Sequence, residues 1–182
     1  MRDPGEARAF LENSDLISSA DEVQAAIHRV AGEINGRLCD AYPLVLVVMA
    51  GAVVFAGQLL PLLQIPLDLD YVHASRYGNA TTGGALQWRV APPAGVQGRA
   101  VLVLDDILDG GTTLFAIRNR LLEQGATRVF SAVLVEKMLA RSKPIAADFV
   151  GLTIPDRFVF GCGMDAKGYW RNLPEIRAVR RT

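Results

Sequence analysis

The chain alternates between continuous apolar runs and short segments rich in glycine and polar residues. Most of the apolar runs are dominated by valine and leucine, and they occupy residues 44–49, 100–104, 129–135 and 149–153. Because such a run offers no polar face, each predicts a strand that is buried on both sides, as in a parallel sheet. The pattern also predicts a strand over 67–73 and a short edge strand over 87–90.

Helical spacing follows several of these runs. Ser19 and Glu22 form a capping-box pattern, and apolar residues then recur at helical intervals as far as Leu38. Further helices are predicted over 54–63 and 113–124. The alternation of buried strand, turn and helix is typical of a doubly wound α/β fold with a mainly parallel sheet flanked by helices.

We interpret residues 1–182 as a single domain. Its core is expected to cover about residues 19–154. The terminal segments, about 1–18 and 155–182, are expected to form a small hood over one edge of the sheet. Residues 1–18 are predicted to be irregular or weakly helical.

Composition narrows the possible partners. The chain has 19 basic and 19 acidic residues, so it lacks the basic excess expected of a sequence-independent nucleic-acid binder. No apolar run is long enough to span a bilayer, and the N-terminus has no apolar signal core. We therefore expect a cytoplasmic protein without membrane or nucleic-acid partners. Cys39 and Cys162 are expected to be free thiols.

Small or charged residues directly follow several of the predicted strands. Ala50 and Gly51 follow the run 44–49, Asp105 and Asp106 follow 100–104, and Glu136-Lys137 follows 129–135. Open parallel sheets bind ligands outside the carboxyl ends of their strands. These residues therefore predict a ligand site at that edge.

The segment 109–113, Asp-Gly-Gly-Thr-Thr, directly precedes a predicted helix. The first amides of a helix have no internal partner and carry partial positive charge, so this segment is typical of a phosphate-binding loop. It lacks the lysine of a Walker A loop. Asp105 and Asp106 suit a sugar diol or a nearby Mg²⁺ ion, which together with the loop indicates recognition of ribose 5-phosphate. An ordinary strand-to-helix turn, capped by the carboxylates, is the alternative.

The segment 101–114 resembles the PRPP-binding motif of type I phosphoribosyltransferases: two acidic residues, two apolar residues, then Asp and a small-residue loop ending in Thr-Leu. The resemblance covers roughly residues 40–178. Segments 134–137, 155–161 and 165–174 resemble the hypoxanthine-guanine subgroup. Segment 75–78 resembles the active-site loop of the family, and 75–86 is predicted to be a mobile loop that closes over the site.

The resemblance implies Mg²⁺-dependent transfer of the phosphoribosyl group from PRPP to a 6-oxopurine, hypoxanthine or guanine, in purine salvage by a homodimer or homotetramer. On the phosphoribosyl side it implies that the 5-phosphate, the ribose with Mg²⁺ and the pyrophosphate are bound by separate groups. The 5-phosphate is bound by Asp109, Gly110, Gly111, Thr112 and Thr113, and the ribose with Mg²⁺ by Asp105 and Asp106. The pyrophosphate is bound by Ala50, Gly51, Arg171 and Asp165, of which Asp165 helps to hold Mg²⁺. Arg76, which adds charge toward pyrophosphate, and Tyr77 bind substrate from the segment that resembles the active-site loop.

On the base side the resemblance implies four roles. Asp109 lies near purine N7 as the catalytic acid or base, and Lys137 donates to O6. Phe158 stacks on the purine, and the backbone of Val159 contacts its edge.

Two positions depart from the family pattern. Ala50 stands where the family often has Lys or Arg, so that side-chain contact with pyrophosphate is missing. Arg76 stands where the family usually has Ser. Other interpretations stay open: Lys137 as a solvated lysine, Phe158 as a core residue, and His73 as structural. For the whole chain the alternatives are a xanthine or pyrimidine phosphoribosyltransferase, a non-catalytic regulator that binds PRPP or nucleotide, and a sugar-phosphate binding protein.

Overall fold

The computed structural model describes residues 3–76 and 86–180, apart from the side chains of residues 75, 76 and 86. The helices are α1 (Pro4–Glu12), α2 (Ala20–Arg37), α3 (Val53–Leu59) and α4 (Thr112–Glu123), with 3-10 turns at Leu60–Leu62 and Ala94–Val96. The strands are β1 (Ser14–Ser18), β2 (Leu44–Val48), β3 (Asp68–Arg76), β4 (Leu86–Val90), β5 (Ala100–Leu108), β6 (Arg128–Met138), β7 (Phe149–Pro155), β8 (Val159–Phe160) and β9 (Ile176–Val179).

The main sheet has six strands in the order β4-β3-β2-β5-β6-β7. All neighbours pair in parallel except β3 and β4, which are antiparallel. The four central residues of β5, Val101 to Leu104, are completely buried, as expected for a strand covered on both faces. The predicted doubly wound sheet with flanking helices is confirmed.

Helix α2 shows why the sequence folds this way locally. The Ser19 hydroxyl accepts from the Glu22 amide, and the Glu22 carboxylate accepts from the Ser19 amide at 2.8 Å, which completes the capping box. Val23, Ile27, Val30 and Ile34 recur on one face of the helix and are fully buried. Helix α2 therefore covers the sheet with a continuous apolar stripe.

Two central strands run further than their sequences predict. Strand β5 continues through Asp105 and Asp106 to Leu108, and its last residues still pair with β6 as far as Glu136. Strand β6 continues through Glu136 and Lys137 to Met138 by pairing with β7. The prediction that these charged residues follow the strands was wrong. Ladder pairing on one or both sides overrides the low strand propensity of aspartate and glutamate.

The terminal segments form a second sheet, in the order β1-β9-β8. Residues 4–12 are a helix capped by the Asp3 carboxylate, in agreement with the prediction of an irregular or weakly helical segment, whereas the strand over residues 14–18 was not predicted. Strand β1 pairs antiparallel with β9, a strand from the other end of the chain, which no local sequence pattern could indicate. Phe10 packs edge-on against Phe160 at 5.3 Å, and the Trp170 indole donates to the Ala7 carbonyl at 2.6 Å. These contacts make the hood that the sequence predicted.

Candidate active site

A cavity lies at the start of α4. It has a volume of about 380 Å³ and is lined by Asp105, Ile107, Asp109 to Leu114, and Arg141. Gly111 is the N-cap of α4, and the Phe115 amide makes an intrahelical bond to the Gly111 carbonyl at 2.9 Å. The amides that precede Phe115 therefore face the cavity side of the helix end without intrahelical partners. The loop 109–113 is thus built as an anion site.

Asp105 and Asp106 lie side by side at the end of the buried part of β5. Asp105 is buried, and its carboxylate accepts from the Asp106 amide at 3.0 Å. Burial raises the pKa of Asp105 well above its usual range, and the negative charge of Asp106 raises it further. Burial also raises the pKa of Asp106, whereas the nearby Arg171 lowers it. Both carboxylates would therefore gain from hydroxyl donors or a cation.

A second cavity, of about 550 Å³, joins the ends of β2 and β5 to the hood. Its lining includes Ala50, Gly51, Asp105, Asp106, Asp109, Thr113, Asp165 and Arg171, together with His73 on β3 and Arg89 on β4. The Met49–Ala50 peptide bond in this lining is cis. The structure thus brings together residues that the sequence placed in three separate segments.

Gly51 is the contact point between these segments. A methyl group on its Cα would overlap the carboxylate of Asp106, and one on Gly163 would overlap the carbonyl oxygen of Gly51. The turn after β2 therefore touches the β5 carboxylate on one side and the hood on the other. No larger residue fits at position 51 unless the two neighbours move apart.

Asp165 and Arg171 form an ion pair in the hood. Arg171 also donates to the Gly163 carbonyl at 2.6 Å, and the Gly168 amide donates to Asp165 at 2.5 Å. These bonds fix the shape of the hood loop, in which Gly163 lies against the turn at Gly51. The Arg171 side chain is 43% exposed, which leaves donors of its guanidinium available to an anion.

The residues fit a Mg²⁺ ion that arrives with a substrate. Within residues 3–76 and 86–180, no group of three or more His, Cys, Asp or Glu side chains is placed to hold a metal. Mg²⁺ keeps several waters and binds through one or two carboxylates plus substrate phosphates. Asp105 and Asp106 supply such oxygens, and their raised pKa values indicate that a cation would stabilise them.

Lys137 reaches across from β6 to the phosphate loop. Its ammonium lies 3.1 Å from the Asp109 carboxylate, and its side chain is only 9% exposed. A lysine that is buried and paired with a carboxylate is not the solvated lysine that the sequence allowed as an alternative. Lys137 also lines a third cavity, of about 410 Å³, with Asp156, Arg157, Phe158, Val179 and Arg180.

Phe158 directly precedes the hood strand β8, which Val159 begins, and lines the third cavity with Lys137. Phe158 is 57% exposed, so it is not the core residue that the sequence allowed as an alternative. Val159 is buried and pairs with Ala178 of β9. The strand pairing thus fixes an aromatic face at the rim of the third cavity.

The structure does not describe the side chains of two predicted site residues, Arg76 and Tyr77. Tyr77, with most of the predicted loop 75–86, lies outside the described residues. Arg76 ends β3, and its side chain is not described. Four residues were missed as ligands or supports: His73 and Arg89 in the second cavity, Arg141 in the phosphate cavity, and Lys143 behind Lys137. Arg89 carries a weak sequence signal, since it lies on the predicted edge strand.

The family model of the phosphoribosyl transferase domain matches residues 17–167. The chain belongs to the phosphoribosyltransferase family. It is 31% identical over 166 residues to a hypoxanthine-guanine phosphoribosyltransferase of Bacillus subtilis, which covers 91% of this chain and 92% of that protein. It is 28% identical to a hypoxanthine-guanine-xanthine phosphoribosyltransferase of Tritrichomonas foetus over 92% of both chains.

Solved structures agree. A hypoxanthine-guanine phosphoribosyltransferase from Bacillus anthracis, with a HEPES molecule in its active site, superposes with a TM-score of 0.85 at 29% identity. The match covers 91% of this chain and 98% of that one. The predicted family, its hypoxanthine-guanine subgroup and the enzyme class are confirmed. Within the described residues of this chain, every helix is too short or too polar to cross a membrane.

Proposed function

We propose that this phosphoribosyltransferase joins hypoxanthine or guanine to ribose 5-phosphate in purine salvage, with PRPP as donor and pyrophosphate as the second product. One observation carries the proposal: the Lys137 ammonium and the Asp109 carboxylate lie 3.1 Å apart, directly beside the loop 109–113 at the start of α4. An anion site and a base-reading pair therefore adjoin within one cleft.

The phosphoribosyl half binds at the end of β5. The amides of 109–113 and the hydroxyls of Thr112 and Thr113 hold the 5-phosphate, and Arg141 adds a positive charge to the same cavity. Asp105 and Asp106 accept from the ribose hydroxyls. A hydroxyl donor that bonds to a buried carboxylate favours its charged form, so binding offsets the burial that raises the pKa of Asp105.

The base half binds between Lys137 and Phe158. A 6-oxopurine presents two acceptors, O6 and N7, side by side on one edge. Lys137 donates to O6, and Asp109 shares a proton with N7. Adenine presents an amino donor where O6 would be, and an ammonium has no acceptor for it, so adenine is disfavoured. Phe158 stacks on the ring and the Val159 backbone meets its edge.

The pyrophosphate half binds where the hood meets β2. The amides of Ala50 and Gly51 and the guanidinium of Arg171 face the second cavity and bind the leaving group. The family resemblance adds Arg76 and Tyr77 to this proposal as substrate-binding residues. Asp165 and Asp105 or Asp106 would hold Mg²⁺, which would supply positive charge to neutralise the pyrophosphate.

The reaction forms a bond between purine N9 and C1 of the ribose as the bond from C1 to pyrophosphate oxygen breaks. The electron pair of that bond leaves with pyrophosphate. Asp109 takes or returns the purine proton at N7, an effect typically worth about 10²–10⁴-fold in rate. Preorganised charges on the ribose and pyrophosphate supply the larger part of the rate gain.

Pyrophosphate release tests the proposal. The purified chain is supplied with PRPP and hypoxanthine, guanine, xanthine, adenine or uracil in turn, with Mg²⁺ or with a chelator. Mg²⁺-dependent release with hypoxanthine and guanine, and not with adenine, is expected. PRPP binding without turnover of any base would instead favour a regulator or a sugar-phosphate binding protein, and release with uracil would favour a pyrimidine transferase.

Xanthine is the second candidate base. Arg157 and Arg180 line the third cavity next to Lys137, and both donate to Asp15 of the hood. Xanthine has an additional oxygen at C2 that would accept from such donors. The relative from Tritrichomonas foetus that is named for all three bases adds support.

We propose a cytoplasmic location and a homodimer or homotetramer. Both Cys39 and Cys162 are free, as is usual in a reducing compartment. Leu69 and Tyr71 on β3 are 57% and 44% exposed, and a second copy of the chain would cover such apolar side chains. Sedimentation of the purified chain tests the assembly.

A further inference from the structure

Lys143 is a buried cation that the proposed reaction does not use. It lies in the connection between β6 and β7, and its side chain is 11% exposed. The ammonium donates to the carbonyl of Leu108 at 3.1 Å, to the carbonyl of Lys137 at 2.6 Å and to the carboxylate of Glu136 at 2.9 Å. An ammonium has three donors, so these acceptors occupy its full capacity.

The three acceptors lie where the pairing between β5 and β6 ends. Leu108 and Glu136 are the last matched residues of that ladder. Beyond them the chain of β5 turns into the phosphate loop, while β6 continues beside β7 with Lys137 opposite Ile154. Lys143 therefore joins two strands at the point where their own hydrogen bonds stop.

The joined carbonyls belong to the backbone that carries the base-reading pair. Leu108 directly precedes Asp109, and the second carbonyl is that of Lys137 itself. The 3.1 Å separation of the Asp109 and Lys137 side chains depends on how far apart these two main chains stand. A displacement of about 1 Å at a site can cost about 10²-fold in rate.

We propose that Lys143 is a positioning residue, which sets the distance between Asp109 and Lys137 by bridging the backbones of the two strands. The proposal rests on the proposed function, since it assigns the pair to the purine. Lys143 itself touches no substrate. Its loss would leave two carbonyls and the Glu136 carboxylate without a shared donor, so the strand ends would separate.

A merely structural role makes a different prediction. If Lys143 only stabilises the fold, its removal lowers the melting temperature and leaves the kinetics of the folded fraction unchanged. If it positions the pair, catalytic efficiency with the purine falls while the KM for PRPP changes little, because the phosphate loop is anchored separately by the first turn of α4.

Arg29 provides a matched control. It donates to the carbonyls of Val150 and Gly151 on β7 and pairs with Glu33 at 2.7 Å, so it too joins a charged donor to two strand carbonyls and one carboxylate. Its contacts lie in the first half of β7, away from Asp109 and Lys137. Arg29→Met should lower stability without changing kcat/KM for the purine.

The experiment compares wild type, Lys143→Met, Lys143→Arg, Glu136→Gln and Arg29→Met. Melting temperature is measured, together with kcat and KM for hypoxanthine and for PRPP. For Lys143→Met we expect kcat/KM for hypoxanthine to fall about 10- to 100-fold, with KM for PRPP within about threefold. Lys143→Arg should recover part of the loss, and Glu136→Gln should show a smaller loss of the same kind.

Wild-type kinetics in Lys143→Met, alongside an active wild type, would overturn the positioning role and leave the proposed function intact. If Lys143→Met does not fold, Lys143→Arg and Glu136→Gln decide, and unchanged purine kinetics in both would overturn it. Absence of turnover in wild type with every purine would overturn the proposed function and this proposal with it.

Discussion

The ammonium of Lys137 lies 3.1 Å from the carboxylate of Asp109, although Asp109 directly follows β5, Lys137 lies on β6 and the whole of α4 separates them along the chain. The pairing neutralises a lysine that is otherwise buried. It also places a donor and a proton acceptor at the spacing of two adjacent atoms on the edge of a 6-oxopurine. When the base binds, the partners exchange a contact with each other for contacts with the substrate.

Asp109→Ala should still fold, because the Asp109 side chain is 54% exposed, but its melting temperature should fall, because the buried Lys137 loses its charged partner. We expect kcat to fall about 10²–10⁴-fold, because the purine proton loses its acceptor. Steady-state rates with hypoxanthine and a thermal melt check both parts. Turnover close to wild type would remove Asp109 from proton transfer.

Asp105→Asn should stabilise the ligand-free protein and lower its catalytic efficiency. Burial raises the pKa of Asp105 above its ordinary 3.8, so the folded chain binds the proton more tightly than the unfolded chain. Stability is therefore lost as pH rises above that ordinary value towards the raised one. In Asp105→Asn this carboxylate is absent, so less folding stability is lost as the pH rises. Each kcal/mol of unfolding free energy that is recovered raises Tm by about 2–4 °C.

The same variant should lose about 10- to 100-fold in kcat/KM for PRPP, because a charge-assisted hydrogen bond to ribose is worth about 1.5–3 kcal/mol. Melts across pH 5 to 8 and PRPP kinetics check it, with Asp40→Asn as an exposed control. A lower Tm for Asp105→Asn at pH 8 would contradict the account of burial.

Arg141→Gln should weaken PRPP binding. Asp105 and Asp109 also line the phosphate cavity, so a phosphate there lies beside two carboxylates, and Arg141 is the cation among the described lining residues. We expect KM for PRPP to rise about 10-fold, the loss of one charge-assisted contact, with kcat little changed. Arg118→Gln removes an exposed arginine of α4 outside this lining and should behave as wild type. An unchanged KM in Arg141→Gln would exclude the contact.

The two cysteines should differ sharply in reactivity. Cys39 is exposed, whereas Cys162 is buried and its thiol contacts the Pro174 carbonyl at 3.1 Å. Burial, with a smaller effect of the Glu175 charge, raises the pKa of Cys162 to about 11. A disulfide reagent at pH 8 should titrate one thiol per native chain and two after denaturation. Two reactive thiols in the native chain would show that the hood opens.

The buried strands could be predicted because their apolar runs leave only one kind of environment. The strand ends could not, since aspartate and glutamate normally mark a turn. At Asp105 and at Glu136 the ladder to the neighbouring strand outweighs that preference. The candidate site could still be predicted, because both assignments, strand or turn, place these residues at the same edge of the sheet.

Other parts of the site left no local signal. Arg141 and Lys143 lie in an irregular segment, where no periodicity tells which charged side chains turn inward. The pairing of β1 with β9 joins Ser14 to Val179, a contact that no short pattern can reveal. The sequence could therefore predict that the terminal segments form a hood, but it could not predict which hydrogen bonds hold them together.

The position of β9 between β1 and β8 also has a consequence for how the molecule is made. Asp15 on β1 accepts from Arg157 and Arg180, which line the third cavity, and β1 pairs with β9. A chain emerging from the ribosome can complete its six-stranded sheet, whose last strand ends at Pro155, before residues 176–179 have emerged. We therefore expect the phosphate-binding loop of each new molecule to form first. The cavity that discriminates between bases would be completed only when β9 has emerged and paired with β1.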